Sequence, residues 1–102
     1  MKETNLATEE LAIPQAAVED ETAQEVVRAW EASDGLHCSL RIGLWEDAGA
    51  WGVVLADIVQ QVAVANMKVR GIPLASALDR IRAVFHAELL RNTSEVKGRF
   101  EP

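Results

Sequence analysis

The stretch Leu36-His37-Cys38-Ser39-Leu40-Arg41-Ile42-Gly43-Leu44-Trp45 decides the fold predicted for this chain. Every second residue from position 36 to position 44 is apolar, and the residues between them are mostly polar. An alternation with a period of two is typical of a strand that has one covered face and one wet face. We therefore predict a strand, or a small sheet, over residues 36–45.

This strand needs hydrogen-bond partners, because a single strand leaves its backbone N–H and C=O groups unpaired. Three segments are candidates: residues 10–13, residues 95–100, or the same strand of a second copy across a two-fold axis. The third alternative predicts a homodimer. A chain of this size builds only a marginal core alone, which also favours association.

Helical periodicity surrounds the strand. Apolar residues at i, i+3, i+4 and i+7 predict an N-terminal helix over residues 21–32, with a stop at Gly35. Two longer patterns predict helices over residues 48–70 and 73–92, and the short corner between them predicts an antiparallel hairpin. We expect Asp47 to cap the first helix of that hairpin. The predicted fold class is therefore α+β and mostly helical.

The helix over residues 48–70 carries the widest apolar surface in the chain. Three further valines lie beside its main stripe, so we expect this helix to be central and contacted on more than one side. The main stripe consists of Trp51, Val54, Leu55, Ile58, Val62, Ala65 and Val69, and the flanking valines are Val53, Val59 and Val64.

Length and composition are those of one soluble globular domain: 102 residues, of which 49% are apolar and 25% charged. We divide the chain into a flexible acidic arm (1–12), a single domain (13–92) and a frayed tail (93–102). The net charge is −6, and residues 1–34 alone carry −7. Because an acidic surface repels phosphate, we expect no nucleic-acid binding.

Membrane insertion and secretion are not predicted. Polar residues interrupt the most apolar stretch, 51–67, so it falls well short of the about 20 consecutive apolar residues that a membrane helix needs. No basic start precedes an apolar run, so we expect no signal peptide and a cytoplasmic protein. The lone cysteine, Cys38, has no internal disulfide partner, and its place on the apolar side of the strand predicts an inert thiol.

The chemistry-bearing residues are sparse. We find no catalytic triad, no metal-ligand spacing and no nucleotide-binding loop, so an enzyme is the less favoured class and no catalytic, cofactor or metal residue is predicted. His37, Arg41 and Trp45 share the polar side of the predicted strand. Arginine and histidine there suit a small anion or carboxylate, while the simpler interpretation is a solvated face. Trp45 anchors either the core or a partner.

The sequence also resembles a known family. Three segments carry the resemblance: residues 26–30 (VVRAW), 35–47 (GLHCSLRIGLWED) and 50–58 (AWGVVLADI). Its most specific part is the junction 45–52, and Ala48 stands where the family pattern often has proline. The family consists of short proteobacterial proteins, catalogued as a domain of unknown function, and the similarity covers residues 11–90. The resemblance implies a compact α+β domain of the bacterial cytosol and carries no activity.

Two functional hypotheses follow. The first is a non-catalytic module of the bacterial cytosol that forms a homodimer and is able to dock another protein. The alternative is a protein that binds a small molecule or an anion through the polar face of strand 36–45, with His37, Arg41 and Trp45 as ligand or interface residues. Sedimentation separates the first from a monomer. A concave pocket lined by those three residues is the requirement of the second.

Overall fold

A β-hairpin forms the first half of the fold. The computed structural model describes residues 6–91 and 98–102. Strand β1 (Val27–Ala32) pairs antiparallel with strand β2 (Gly35–Leu40), with Val27 opposite Leu40 and Ala32 opposite Gly35. Ser33 and Asp34 make the turn. The helix predicted over 21–32 is therefore wrong, because this segment pairs with β2 and its β-branched and aromatic residues suit a pleated surface.

Strand β2 is the central strand of a three-stranded sheet in the order β1-β2-β3. Strand β3 (Phe100–Glu101) lies parallel to β2 on its other side, and the Cys38 N–H donates to the Arg99 carbonyl at 2.8 Å. Of the three pairing alternatives, the C-terminal segment thus supplies one neighbour, although residues 95–97 lie outside the described residues. Gly98, at φ +88°, permits this approach, because a Cβ there would collide with the Leu36 carbonyl.

The strand predicted over 36–45 ends at Leu40, which corrects its second half. A 3₁₀ turn over Ile42–Leu44 follows, closed by the Leu44 N–H on the Arg41 carbonyl at 3.2 Å. The Arg41 N–H still reaches the Val26 carbonyl at 3.0 Å, which is the last rung toward β1. Beyond that rung β1 offers no further partner, so the chain turns toward the helices.

The helical hairpin is confirmed close to its predicted bounds. Helix α2 spans Gly49–Arg70, and helix α3 spans Leu74–Leu89. The Asp47 carboxylate accepts the Gly49 N–H at 2.8 Å, so it caps the helix from one residue outside the N-cap position, Ala48. Gly71, at φ 70°, ends α2 in the left-handed conformation that glycine adopts without strain.

Two short elements precede the sheet: a 3₁₀ turn at Leu6–Thr8 and the one-turn helix α1 at Gln15–Val18. The Glu10 carboxylate joins this N-terminal segment to β1 through the Arg28 guanidinium at 3.3 Å. The predicted fold class, α+β and mostly helical, is confirmed.

The hydrophobic core of this chain is very small. Among the described residues only Ala63 and Ala77 are buried, one on each helix of the hairpin. The strands contact one another and the two helices contact one another, while any contact between the sheet and the hairpin is marginal. The radius of gyration is 15.8 Å, against about 13 Å for a compact chain of 100 residues.

Candidate functional site

The three residues predicted for a ligand site are each tied to a different partner. His37 lies half-buried in the middle of β2. Its Nδ1 accepts the Arg99 N–H at 3.1 Å, and its Nε2 lies 2.8 Å from the Asp34 carboxylate. Because Nδ1 acts as an acceptor, the neutral ring carries its proton on Nε2 and donates it to Asp34. The ring therefore links the β1–β2 turn to the C-terminal strand.

The electrostatics of this contact act on the carboxylate. The hydrogen bond from His37 lowers the pKa of Asp34 below its usual 3.8, and the electrostatic attraction of His37 and Arg99 adds to the effect. The Asp34 side chain is 73% exposed, so the contact is screened by water and contributes little to stability.

Arg41 and Trp45 have other neighbours. The Arg41 Nε donates to the Glu25 carbonyl at 2.9 Å, which fastens the exposed end of β2 to the segment before β1. Trp45 is half-buried, and its ring meets Trp51 edge-to-face at a centroid distance of 5.4 Å and an angle of 82°. This ring pair lies beside the start of α2, and the choice between a core and a partner role for Trp45 remains a prediction.

No hydrogen bond or ring contact joins His37, Arg41 and Trp45 to one another among the residues described. An open depression follows the turn at residues 31–36, and none of the three lines it. Within the same described ranges, no group of three or more His, Cys, Asp or Glu side chains is arranged to hold a metal ion. The anion site predicted on this strand remains a prediction.

The sheet presents a face that is almost entirely apolar. Residues directly opposite each other in neighbouring strands point to the same side, so the pairing register fixes the members of this face. Leu36 is 52% exposed and Phe100 is 60% exposed on it. We call it the apolar sheet face. Its apolar members are Val27, Ala29, Leu36, Cys38, Leu40 and Phe100.

Helix α2 carries a second uncovered apolar surface. Six residues recur at alternating steps of four and three, the heptad spacing of helices that pair along a seam. We call them the α2 seam. They are Trp51, Leu55, Ile58, Val62, Ala65 and Val69.

The α2 seam is exposed over most of its length. Leu55, Ile58 and Val62 keep 45%, 40% and 44% of their surface in contact with solvent, and Val69 keeps 82%. By contrast Ala63, on the neighbouring side of the helix, is fully buried. Helix α3 is the one element in substantial contact with α2 in the described structure, so it covers the Ala63 side and leaves the seam open.

These two surfaces are candidates for association with a partner. The apolar arc of residues 48–70 predicted contacts on more than one side of this helix, but His37, Arg41 and Trp45 were the residues predicted for a site. The signal was present in the sequence: the apolar arc of residues 48–70 is too wide for a helix covered by one neighbour, and its main stripe contains the heptad spacing. Helix α2 is also long and apolar enough to span a membrane by length and composition alone. It has 22 residues and a mean hydropathy of 1.3 over an 18-residue window, of which 6% is buried.

Comparisons with known proteins agree with the fold. A family described as a domain of unknown function (DUF5076) matches residues 10–93. No curated protein sequence matches the chain. Among solved structures, one similar chain is described as "Structure of a putative pyruvate dehydrogenase from the photosynthetic bacterium Rhodopseudomonas palustrus CGA009". It shares 31% sequence identity and a TM-score of 0.67, and the match covers 85% of this chain and 88% of that one.

Proposed function

We propose that this chain, which belongs to the DUF5076 family of domains of unknown function, is one subunit of an obligate homodimer and acts as a non-catalytic interaction module in a bacterial cytosol. The observation that carries the proposal is the pair of uncovered surfaces. An apolar sheet face and an apolar helix stripe in one chain, neither covering the other, need an outside partner.

The surface area supports a partner of substantial size. The chain exposes 8960 Å², whereas a compact monomer of 11.2 kDa exposes about 5,700 Å². The eleven residues outside the described ranges account for at most about 1,800 Å² of the difference, at about 160 Å² per unfolded residue. About 1,500 Å² of excess surface therefore belongs to the described residues. A standard interface buries about 800 Å² per partner, and obligate dimers bury more.

A second copy explains this surface better than a lipid bilayer does. Asp57 lies in the first half of α2, and Gln60 and Gln61 lie at its centre. A carboxylate or arginine near the middle of a membrane helix costs about 2.5–3.5 kcal/mol on insertion scales. A protein partner leaves those polar residues in water, because they lie outside the α2 seam.

The name of the related chain favours a different function, the oxidation of pyruvate. The described residues do not support catalysis by an activated thiol, because they bring no nucleophile and base together. Cys38 and His37 are neighbours in a strand, so they point to opposite faces. Both nitrogens of His37 already have partners. A catalytic Cys or Ser needs a base within hydrogen-bond reach.

Sedimentation equilibrium of the full chain across micromolar concentrations tests the proposal. We expect a species of twice 11.2 kDa, and urea unfolding whose midpoint rises with protein concentration. Flotation with neutral phosphatidylcholine vesicles is expected to leave the protein unbound. A monomer with a concentration-independent midpoint, or a chain that floats with the vesicles, would overturn the proposal.

A further inference from the structure

We infer that the two chains of the proposed homodimer pair through the α2 seam, with the helices antiparallel and Gln60 level with Gln60 of the second copy. The inference rests on the proposed homodimer and names the surface that forms it. Its first support is the spacing: 51, 55, 58, 62, 65 and 69 keep the 4-3 alternation of a coiled-coil stripe over three heptads.

The sizes of the seam residues set the direction. The N-terminal half of the seam carries its three largest side chains, Trp51, Leu55 and Ile58, and the C-terminal half carries small ones. Paired parallel, tryptophan would meet tryptophan and alanine would meet alanine, so the interface would be overfilled at one end and hollow at the other. Protein interfaces are packed as densely as protein interiors, so both faults are costly.

Antiparallel pairing places a large residue opposite a small one in every layer. The six positions are symmetric about residue 60, so Trp51 faces Val69 of the second copy, Leu55 faces Ala65, and Ile58 faces Val62. Each layer then joins the two kinds of heptad position, and the summed side-chain volume varies less from layer to layer than it would in a parallel pair. Large-against-small packing of facing positions is how interdigitated layers are filled.

The charges at the ends of α2 favour the same direction. Acidic residues, Glu46 and Asp47, precede the helix, and basic residues, Lys68 and Arg70, lie in its last turn. In an antiparallel pair the basic turn of one chain lies beside the acidic start of the other. In a parallel pair like charges meet at both ends, and the two helix dipoles align unfavourably.

Helix α3 does not obstruct this arrangement. The α2 residues that α3 covers are centred on Ala63, which is 0% exposed, with Val59 and Asn66 half-buried beside it. This stripe lies on a side of α2 adjacent to the seam and not on the seam itself. Two hairpins joined along their α2 seams therefore make a four-helix arrangement in which each α2 has two neighbours.

Disulfide trapping tests the register directly. In a Cys38→Ser background, the double variant Leu55→Cys/Ala65→Cys is expected to run mostly as a covalent dimer on a non-reducing gel after mild oxidation. Each single variant is expected to stay monomeric on that gel, because residue 55 faces residue 65 of the second copy and not its own equivalent. The matched control is Val53→Cys/Met67→Cys, which keeps the same symmetry on the opposite side of α2.

A second, independent pair protects the test from a folding defect. Coexpressed Ile58→Cys and Val62→Cys chains are expected to cross-link to each other, and circular dichroism checks that each variant keeps its helices. A covalent dimer from Leu55→Cys alone would indicate parallel helices and overturn the inference. If sedimentation finds a dimer and neither pair cross-links, this inference fails while the homodimer stands. If sedimentation finds a monomer, both fail.

Discussion

Replacing Ile58 by alanine weakens the proposed dimer by an amount that follows from the structure. The substitution removes three carbon groups, worth about 0.8 kcal/mol each when they are fully buried, or about 2.4 kcal/mol in total. Ile58 keeps 40% of its surface exposed in the single chain, so about 1 kcal/mol of this burial remains for association. Two copies contribute about 2 kcal/mol, which is about a 30-fold rise in Kd.

Val53→Ala is the matched control for this prediction. Val53 is more exposed than Ile58, at 63% against 40%, but it lies on the side of α2 away from the seam. If general exposure decided the outcome, this substitution would weaken association about as much as Ile58→Ala, because two carbon groups worth about 1.6 kcal/mol at 63% exposure leave about 1 kcal/mol per copy. We expect instead a change below about 0.5 kcal/mol, the usual range for a surface substitution.

Sedimentation equilibrium of both variants and the unaltered chain, over the same dilution series, measures the two Kd values. Urea unfolding at two protein concentrations separates a loss of association from a loss of chain stability. Equal shifts for Ile58→Ala and Val53→Ala, or an unchanged Kd for Ile58→Ala, would refute the reasoning, because the α2 seam would then not be the surface that associates.

Three further predictions concern the sheet. Gly98→Ala is expected to detach β3, because Gly98 has a φ of +88° and a Cβ there would collide with the Leu36 carbonyl. Faster hydrogen exchange of the Cys38 amide would report the detachment, and unchanged exchange would contradict it. Asp34→Asn is expected to lower the melting temperature by a small amount above pH 3.8, because the contact with His37 is exposed. The difference in melting temperature between the variant and the unaltered chain should vanish as the pH falls through the lowered pKa of Asp34. A difference that persists below that pKa would contradict the contact with His37. Millimolar phosphate is expected to leave the chemical shifts of the β2 amides unchanged, because both ring nitrogens of His37 already have partners. Shift changes confined to β2 would instead support the predicted anion site.

The helical hairpin was predictable because its signals agree at every level. Apolar spacing, the Asp47 cap and the Gly71 stop all indicate the same two helices, and the structure places their bounds within three residues of the prediction. Such agreement is what makes an element independent of its surroundings. Which side of α2 stays exposed was harder to predict, since it depends on the side that α3 covers.

The segment before the turn was mispredicted because its pattern is ambiguous. Val26, Val27 and Trp30 fit a helical stripe and a short strand equally well. Its neighbours decide between them, because β2 supplies a full set of backbone partners across the Ser33-Asp34 turn. The Asp34-Gly35 pair before an alternating run is itself a hairpin signal, although the observed turn residues are Ser33 and Asp34 and Gly35 begins β2.

The candidate ligand residues show the limit of reading faces from alternation. Alternation does place His37 and Arg41 away from the apolar residues of β2, but it says nothing about which backbone groups lie opposite them. The Arg99 N–H and the Glu25 carbonyl come from segments 62 and 16 residues away. Contacts at that separation are set by the tertiary path of the chain.

The scarcity of buried residues has a consequence for the folded amount of this protein in a cell. Only Ala63 and Ala77 are covered among the described residues, so the proposed homodimer would supply most of the apolar burial that stabilises each chain. Obligate homodimers often have no stable folded monomer. For the proposed homodimer, the folded fraction would then depend on chain concentration, so the folded amount would rise more steeply than expression does.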